Sequence, residues 1–351
     1  MIKILKLIFL PFLWLIYLTT FLIKRNKYKI ITGSITDAPP SNLVEIQKKF
    51  IQEGFDIVFV GNKYQGINTI KKYSIKFFVY ALTSKYYIYT HYPSDVNFWL
   101  SGGAKYINIW HGHPLKHIER DYQKSNFFNI PLHRKILRIL YNPYQYITNF
   151  KILCHFDKYR DIFKSAFGVN ESNIINCKEI RQNPKNPEDL DILYLPTFRP
   201  EPLKNNHYKK IRTIINFFEN NNLDYKFKLH PHDRGIELNI NNMILDHQDP
   251  FDFYSTTKIL IADYSSVVID YISANKNPKV ILFLHDEHEY RELDRDFYDI
   301  WDGIKSQFYV VDNIRDIKNA IVELNNDNLH SYDNSFLKPN VRSLDINELL
   351  D

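Results

Sequence analysis

The chain has 351 residues, 44% hydrophobic and 24% charged, which is the composition of a folded globular protein long enough for two domains. That excludes a disordered, collagen-like or disulfide-dense chain, and a mean hydropathy of −0.36 excludes a polytopic transporter. The 45 Lys+Arg against 40 Asp+Glu leave a charge of +5 spread along the chain, which suits anionic ligands or lipid and not the concentrated basic stripe of a nucleic-acid groove.

The first element is apolar. Leu7 to Ile23, LIFLPFLWLIYLTTFLI, carries no charge and is bracketed by Lys3 and Lys6 before it and Lys24, Arg25, Lys27 and Lys29 after it. Seventeen helical residues reach about 26 Å, short of a hydrocarbon core of about 30 Å. No small-x-small cleavage site follows, which argues against a signal peptide. The segment is expected to anchor the chain by a short span or by lying in the interface. A first helix buried in protein is the alternative. The excess of basic residues after it places the rest of the chain on the cytosolic side, at the cytoplasmic face of the cell membrane.

Strands and helices then alternate. Lys29 to Thr32, Asp56 to Gly61, Tyr86 to Thr90, Tyr106 to Trp110 and Lys151 to Cys154 are expected strands, with helices over Ser41 to Glu53 and Ile70 to Ala81. Between Asn126 and Asn149, Arg134, Lys135 and Arg138 share a short helix with Ile136, Leu137, Ile139 and Leu140, a face for anionic lipid or a basic-edged core helix. Ile180 to Asp191, with two prolines, is the expected linker. A second unit follows, with strands at Asp191 to Leu195, Lys226 to Leu229, Ile259 to Ala262 and Val280 to Leu284. Its helices are His207 to Asn220, Val267 to Ala274 and Ile314 to Leu324. The order β, α, β implies an α/β fold of two Rossmann-like domains facing a cleft. The expected boundaries are 1–29 for the membrane-associated helix and basic collar, 30–183, 184–325, and a tail over 326–351. Cys154 and Cys177 allow at most one disulfide and are read as reduced thiols.

Ligands gather at the carboxyl ends of parallel strands, and four such ends carry unusual chemistry. In WHGHPLK, Gly112 lets backbone approach a ligand, His111 can exchange a proton near neutral pH, and Lys116 can meet a phosphate. In PTFR, Thr197 and Arg199 offer a hydroxyl and a guanidinium fork. KLHPH presents His230 ahead of a proline. IADYSSVVID reads as a buried strand ending in Asp263, with Ser265 and Ser266 at the first turn of an apolar helix that carries Asp270. Free N–H groups there suit a diphosphate, or the serines simply cap the helix.

Taken together, WHGHPLK, LYLPTFRP, KLHPH and IADYSSVVID occur in the order and spacing of the CDP-glycerol glycerophosphotransferase family of teichoic acid and capsule synthesis. The chain resembles that family from about Gly33 to Asp312. The tract Ile152 to Phe167 and the tract Phe283 to Trp301 are similar to further family segments. The resemblance implies a GT-B fold whose second domain holds the donor nucleotide, and transfer of a polyol phosphate from CDP to an acceptor hydroxyl. It makes His111 and His230 the two essential histidines. It gives Asp263, Ser265 and Ser266 the donor phosphates, with Thr197 and Arg199 in the PTFR element and Lys116 and Asp270 counted among the donor-binding residues. Departures are visible. Lys178 to Asn183 replaces a glycine-proline-arginine-asparagine turn, leaving Arg181 to keep the arginine's donor-binding role. His113 replaces a threonine, and Ser34 to Asn42 barely matches.

The expected partners are therefore a CDP-polyol donor, a lipid-linked or polymeric glycan acceptor and a membrane surface, with no nucleic acid. His111 is assigned as general base, with His230, Lys116, Arg199 and the helix start at Ser265 stabilising phosphates. Exchange of roles between the two histidines stays open. No cofactor or metal is expected, although Asp294-Arg295-Asp296 and His285-Asp286-Glu287-His288 offer ligand types. A GT-B glycosyltransferase using a nucleotide sugar and a membrane-bound scaffold without activity are the rival readings.

Overall fold

Short apolar runs build the sheets. In DIVFV and TKILIA the last four residues are buried, and in VILF all four are, as expected of parallel strands covered on both faces. The computed structural model describes residues 2–64, 66–122, 131–181, 189–230, 233, 242–244, 249–326, 332–333 and 335–350. Within them the runs join two all-parallel sheets, each in its own compact unit.

Unit 1 comprises Met1–His111, Asn126–Arg181 and Pro339–Asp351. It contains α1 (Ile2–Thr20), β1 (Asn26–Gly33), α2 (Ser41–Gln52), β2 (Asp56–Val60), β3 (Thr69–Ile70), α3 (Ile75–Thr83), β4 (Ser84–Tyr89), β5 (Lys105–Asn108), α4 (Leu132–Tyr141), β6 (Lys151–Cys154), α5 (Tyr159–Phe167) and β7 (Ile174–Asn176). The strand order is β3-β2-β1-β4-β5-β6-β7, with Ile30 opposite Ile57 on one side and Tyr86 on the other. The chain leaves β1 in one direction and returns beside it as β4, so the topological switch lies between their carboxyl ends.

Unit 2 comprises Gly112–Ser125 and Gln182–Lys338. It contains β8 (Leu190–Leu195), α6 (Lys204–Asn220), β9 (Tyr225–Phe227), β10 (Thr257–Ala262), α7 (Val267–Ala274), β11 (Val280–Phe283), α8 (Glu287–Leu293), α9 (Ile300–Lys305), β12 (Tyr309–Val311) and α10 (Ile314–Asn326). The order β12-β11-β10-β8-β9 puts the switch between β8 and β10, which pair with Ala262 opposite Leu195.

Several expectations change. The helix expected over Ile70 to Ala81 begins late: Thr69 and Ile70 form an edge strand, and α3 starts after Ser74, whose side chain accepts from the N–H of Phe77 at 3.2 Å. That cap fixes the start. The strand expected through Trp110 ends at Asn108, because Trp110 adopts a left-handed φ of 49°. β3, β7 and β12, two or three residues each, are too short to show periodicity. Residues 182–188 of the expected linker, 126–130 of the basic stretch, and Pro231 and His232 of KLHPH lie outside the described residues.

The apolar N-terminal segment is helical, and among the described residues no helix is long and apolar enough to cross a membrane. Nor is 1–29 a separate piece. Tyr17 stacks on Phe98 at 4.5 Å, Trp14 meets Trp99 at 5.6 Å, and the Thr20 hydroxyl accepts from the N–H of Gly102 at 2.9 Å. A Cβ on Gly102 would lie 2.3 Å from that hydroxyl oxygen, so only glycine lets the helix sit there. Arg25 of the basic collar turns inward and donates to the carbonyls of Ala81, Ser84, Leu100 and Gly102. At the other end of the chain, Leu344, Ile346 and Leu349 enter the unit 1 core with Ile30, Leu43 and Phe50.

Candidate active site

In unit 2 the switch between β8 and β10 brings PTFR and ADYSS together. The Thr197 N–H donates to Asp263 Oδ2 at 2.9 Å. Arg199, fully buried, lies between two carboxylates. Its Nε and Nη2 fork Asp286 at 2.7 and 2.8 Å, and Nη1 donates to Asp263 at 2.9 Å and to the Thr197 carbonyl at 2.7 Å. The guanidinium also lies over the Tyr264 ring at 4.4 Å. Burial opposes the charges of Asp263 and Asp286, but Arg199 outweighs it and holds both carboxyls below their ordinary pKa. Four N–H bonds of Arg199 hold the ends of β8, β10 and β11 together, and its place in the donor site remains part of the functional proposal. Asp263 accepts from Arg199 and Thr197 at Oδ2, while its buried Oδ1 has no hydrogen-bond partner among the described residues. The Thr197 hydroxyl, buried, has no hydrogen-bond partner among the described residues, and it keeps its capacity to meet a ligand.

Ser265 and Ser266 precede α7 as expected. Ser266 makes no side-chain capping bond, and the Val267 N–H only just reaches the Ser265 hydroxyl at 3.5 Å. Gly112 lies against them: a Cβ there would be 3.2 Å from the Ser266 hydroxyl. Asp270 meets His113, whose Nδ1 is 3.1 Å from Asp270 Oδ1 with both residues buried. The histidine that replaces the expected threonine thus acquires a carboxylate. Lys116 stands over Tyr264 and Tyr290 at 5.7 and 5.5 Å. Burial lowers its pKa to about 8, against the pull of Asp263. His230 is exposed after β9, its ring 5.9 Å from Phe198.

His207, His285 and Asp286 offer ligand atoms within 4.8 Å of one another. Both oxygens of Asp286 already accept from Arg199, and burial lowers the pKa of His207 to about 3, so the group reads as a neutral histidine pair behind an ion pair. Asp294 accepts from Tyr122 and Tyr290, and Asp296 from Arg291 and the Phe297 N–H. The D-x-D is thereby spent on its own surroundings.

In unit 1, His111 follows β5 immediately after the left-handed Trp110, whose strained backbone is held by Asn108 Oδ1 accepting from its N–H and Asn42 Nδ2 donating to its carbonyl. His111 Nδ1 lies 3.1 Å from the Thr90 carbonyl. A carbonyl only accepts, so Nδ1 carries the proton and Nε2 keeps its lone pair. The ring is crowded by protein but still meets solvent, and the crowding lowers its pKa, against the Thr90 bond. Sequence reasoning missed His91, 5.8 Å from the His111 ring, with a pKa lowered to about 4 by burial and by His111. It also missed Asp95, which accepts from the His91 and Thr90 N–H groups and is raised to about 6 by burial. Both follow β4 at the switch, and that placement was the available signal. Arg181, assigned to the donor, lies in unit 1 and pairs with Glu179 at 2.7 Å.

Comparison with known proteins identifies the family and fold of the chain. The teichoic acid poly(glycerol phosphate) polymerase of Bacillus spizizenii (strain ATCC 23059 / NRRL B-14472 / W23) is 25% identical over 271 residues, 66% of this chain and 64% of that protein. The teichoic acid ribitol-phosphate polymerase TarK of Staphylococcus aureus (strain NCTC 8325 / PS 47) is 26% identical over 167 residues, 39% and 32% of the two chains. The chain thus spans less than two thirds of the length of these relatives. A variant of the wall teichoic acid polymerase TagF superposes with a TM-score of 0.65 at 16% identity, covering 90% of this chain and 85% of that one, which establishes a shared fold. Residues 24–333 match the family described as CDP-Glycerol:Poly(glycerophosphate) glycerophosphotransferase, and the chain belongs to that family.

Proposed function

We propose that the protein transfers a polyol phosphate, with glycerol phosphate the default unit, from a CDP-activated donor to a hydroxyl of a lipid-linked or growing cell-surface polymer. His111 Nε2 takes the acceptor proton, and the acceptor oxygen forms a bond to the phosphorus that carries the polyol. The bond from that phosphorus to CMP breaks, and its electron pair leaves with CMP. The observation that carries the reading is the fixed tautomer of His111, which presents a lone pair at the end of β5 in a chain of this family. The start of α7 at Ser265 and Ser266, the Thr197 hydroxyl, Lys116 and His230 meet donor phosphates, and Arg199 belongs to the same donor site.

A GT-B plan of two Rossmann-like units is the finer fold reading that goes with this reaction, supported by the two all-parallel sheets and the likeness to TagF. Attachment to the cytoplasmic face of the cell membrane belongs to the same proposal. It is supported by the exposed Phe12, Leu15, Leu18 and Leu22 of the N-terminal segment and by the amphipathic α4 with Arg134, Lys135 and Arg138.

Mass-resolved transfer to a glycerol phosphate oligomer, with CDP-glycerol and UDP-sugars offered separately, tests the activity. One glycerol phosphate added per CMP released is expected. Transfer only from a UDP-sugar would establish the glycosyltransferase reading instead, and transfer from neither would remove the catalytic one.

A further inference from the structure

Unit 1 carries a groove of about 1010 Å³ walled by Leu10 and Leu13 of α1, Phe98 and Trp99 of the segment after β4, and Leu137 and Tyr141 of α4. Its size is that of a small-molecule site, at the upper end of about 300–1,000 Å³. Trp14 ties the two helical walls by donating from Nε1 to the Leu140 carbonyl at 3.1 Å and by meeting Trp99 edge to face. Leu137 is 48% exposed and Phe9, which also lines the groove, is 56% exposed. Apolar walls left open to water in this way mark a surface that something apolar covers.

Two features narrow what that is. Lys72 and Arg138 line the groove, and no carboxylate does among the described residues, so the occupant pairs hydrocarbon with negative charge. Ring contacts also connect the groove's lining to the candidate base within the same unit. Tyr144 in its lining lies 5.6 Å from Tyr92, Tyr92 lies 4.1 Å from His91, and His91 lies 5.8 Å from His111, centroid to centroid.

We propose that this groove holds the hydrocarbon chain of a lipid-linked acceptor, one long chain bearing an anionic phosphate head, with Lys72 and Arg138 meeting the phosphate and the growing end directed toward His111. The proposal rests on the transferase reading and adds a binding site to it. The chain slides between α1 and α4, where each methylene leaves water for apolar walls. The two cations keep the head at the mouth.

Calorimetric titration of the full chain with farnesyl diphosphate, farnesol and inorganic diphosphate tests it. Farnesyl diphosphate is expected to bind at least tenfold more tightly than either fragment. Leu137→Trp, which fills the groove, and Lys72→Glu, which reverses a charge at another wall, should each weaken it at least tenfold. Both variants should keep the unfolding temperature of the parent and unchanged transfer to a chain-free glycerol phosphate oligomer. Equal binding of farnesyl diphosphate by parent and both variants would overturn the proposal. So would a change in sedimentation showing that the same substitutions instead separate two copies of the chain. If no acceptor receives glycerol phosphate while farnesyl diphosphate still binds the parent and not the variants, the transferase reading fails and the lipid groove stands.

Discussion

Arg199 has no exposed surface and two carboxylate partners, so removing it leaves two buried charges uncompensated. Arg199→Ala is expected to cost about 3–5 kcal/mol, read from the urea midpoint of unit 2. Arg199→Lys should recover only part, because an ammonium cannot fork Asp286. His111 sits differently, at a surface its ring shares with solvent. His111→Ala should lower turnover at least about 10²-fold with an unchanged unfolding temperature. Because its pKa lies below the ordinary 6.5, the neutral, base form persists below that pH. The acid limb of kcat/KM should therefore have its midpoint under 6.5, and a midpoint above it would exclude His111 as base. The buried His207 couples pH to stability. Folded it takes a proton only near pH 3, unfolded near 6.5, so between these values the unfolded chain binds more protons. Its contribution is present above 6.5 and is lost as pH falls through the window. Unfolding free energy measured across that window should fall less steeply for His207→Gln than for the parent.

Among the elements, α1 requires the most revision. Deleting residues 1–29 looks harmless if the segment is only an anchor, but it would remove half of β1, which lies inside its sheet between β2 and β4. It would also remove the four bonds of Arg25. Membrane attachment is better tested on the outward face. Phe12→Ser, Leu15→Ser and Leu18→Ser together should abolish flotation with phosphatidylglycerol vesicles while leaving the unfolding temperature within a few degrees of the parent, because these side chains are 62%, 58% and 58% exposed. Retained flotation would move the attachment surface elsewhere. At α7 the element is short but its position is specific. It starts at the carboxyl side of β10, at the switch point, and Gly112 approaches it closely, a Cβ there lying 3.2 Å from the Ser266 hydroxyl.

At the scale of the molecule, two separate cores predict two separable stabilities. Unit 1 is closed by a segment more than 150 residues away in sequence from the rest of it. Pro339 to Asp351 supplies Leu344, Ile346 and Leu349 to its core, and Arg342 accepts at its carbonyl from the Lys178 N–H at 2.7 Å. Each buried apolar side chain contributes about 1.5–3 kcal/mol. A chain ending at Lys338 should therefore show a lowered calorimetric transition for unit 1 and an unmoved one for unit 2. A single transition shifted as a whole would mean that the units unfold together.

Burial on both faces leaves its mark on each strand locally, so the apolar runs YYIYT, DILYL, ILIA and VILFL were legible as parallel strands, and the motifs after them as strand-end chemistry. The sequence by itself also determined that His111 and Ser265 start loops at such ends. Which ends become neighbours is a different matter, because strand order depends on contacts between residues far apart in the chain. Only the tertiary structure set β8 beside β10, and so gave Arg199 its partners Asp263 and Asp286. Only it paired His113 with Asp270, brought His91 to His111, and folded the C-terminal segment into the first core. Trp110 was equally hidden, since its left-handed backbone is held by Asn42 and Asn108 from outside its own segment, and local propensity alone would have kept it in the strand.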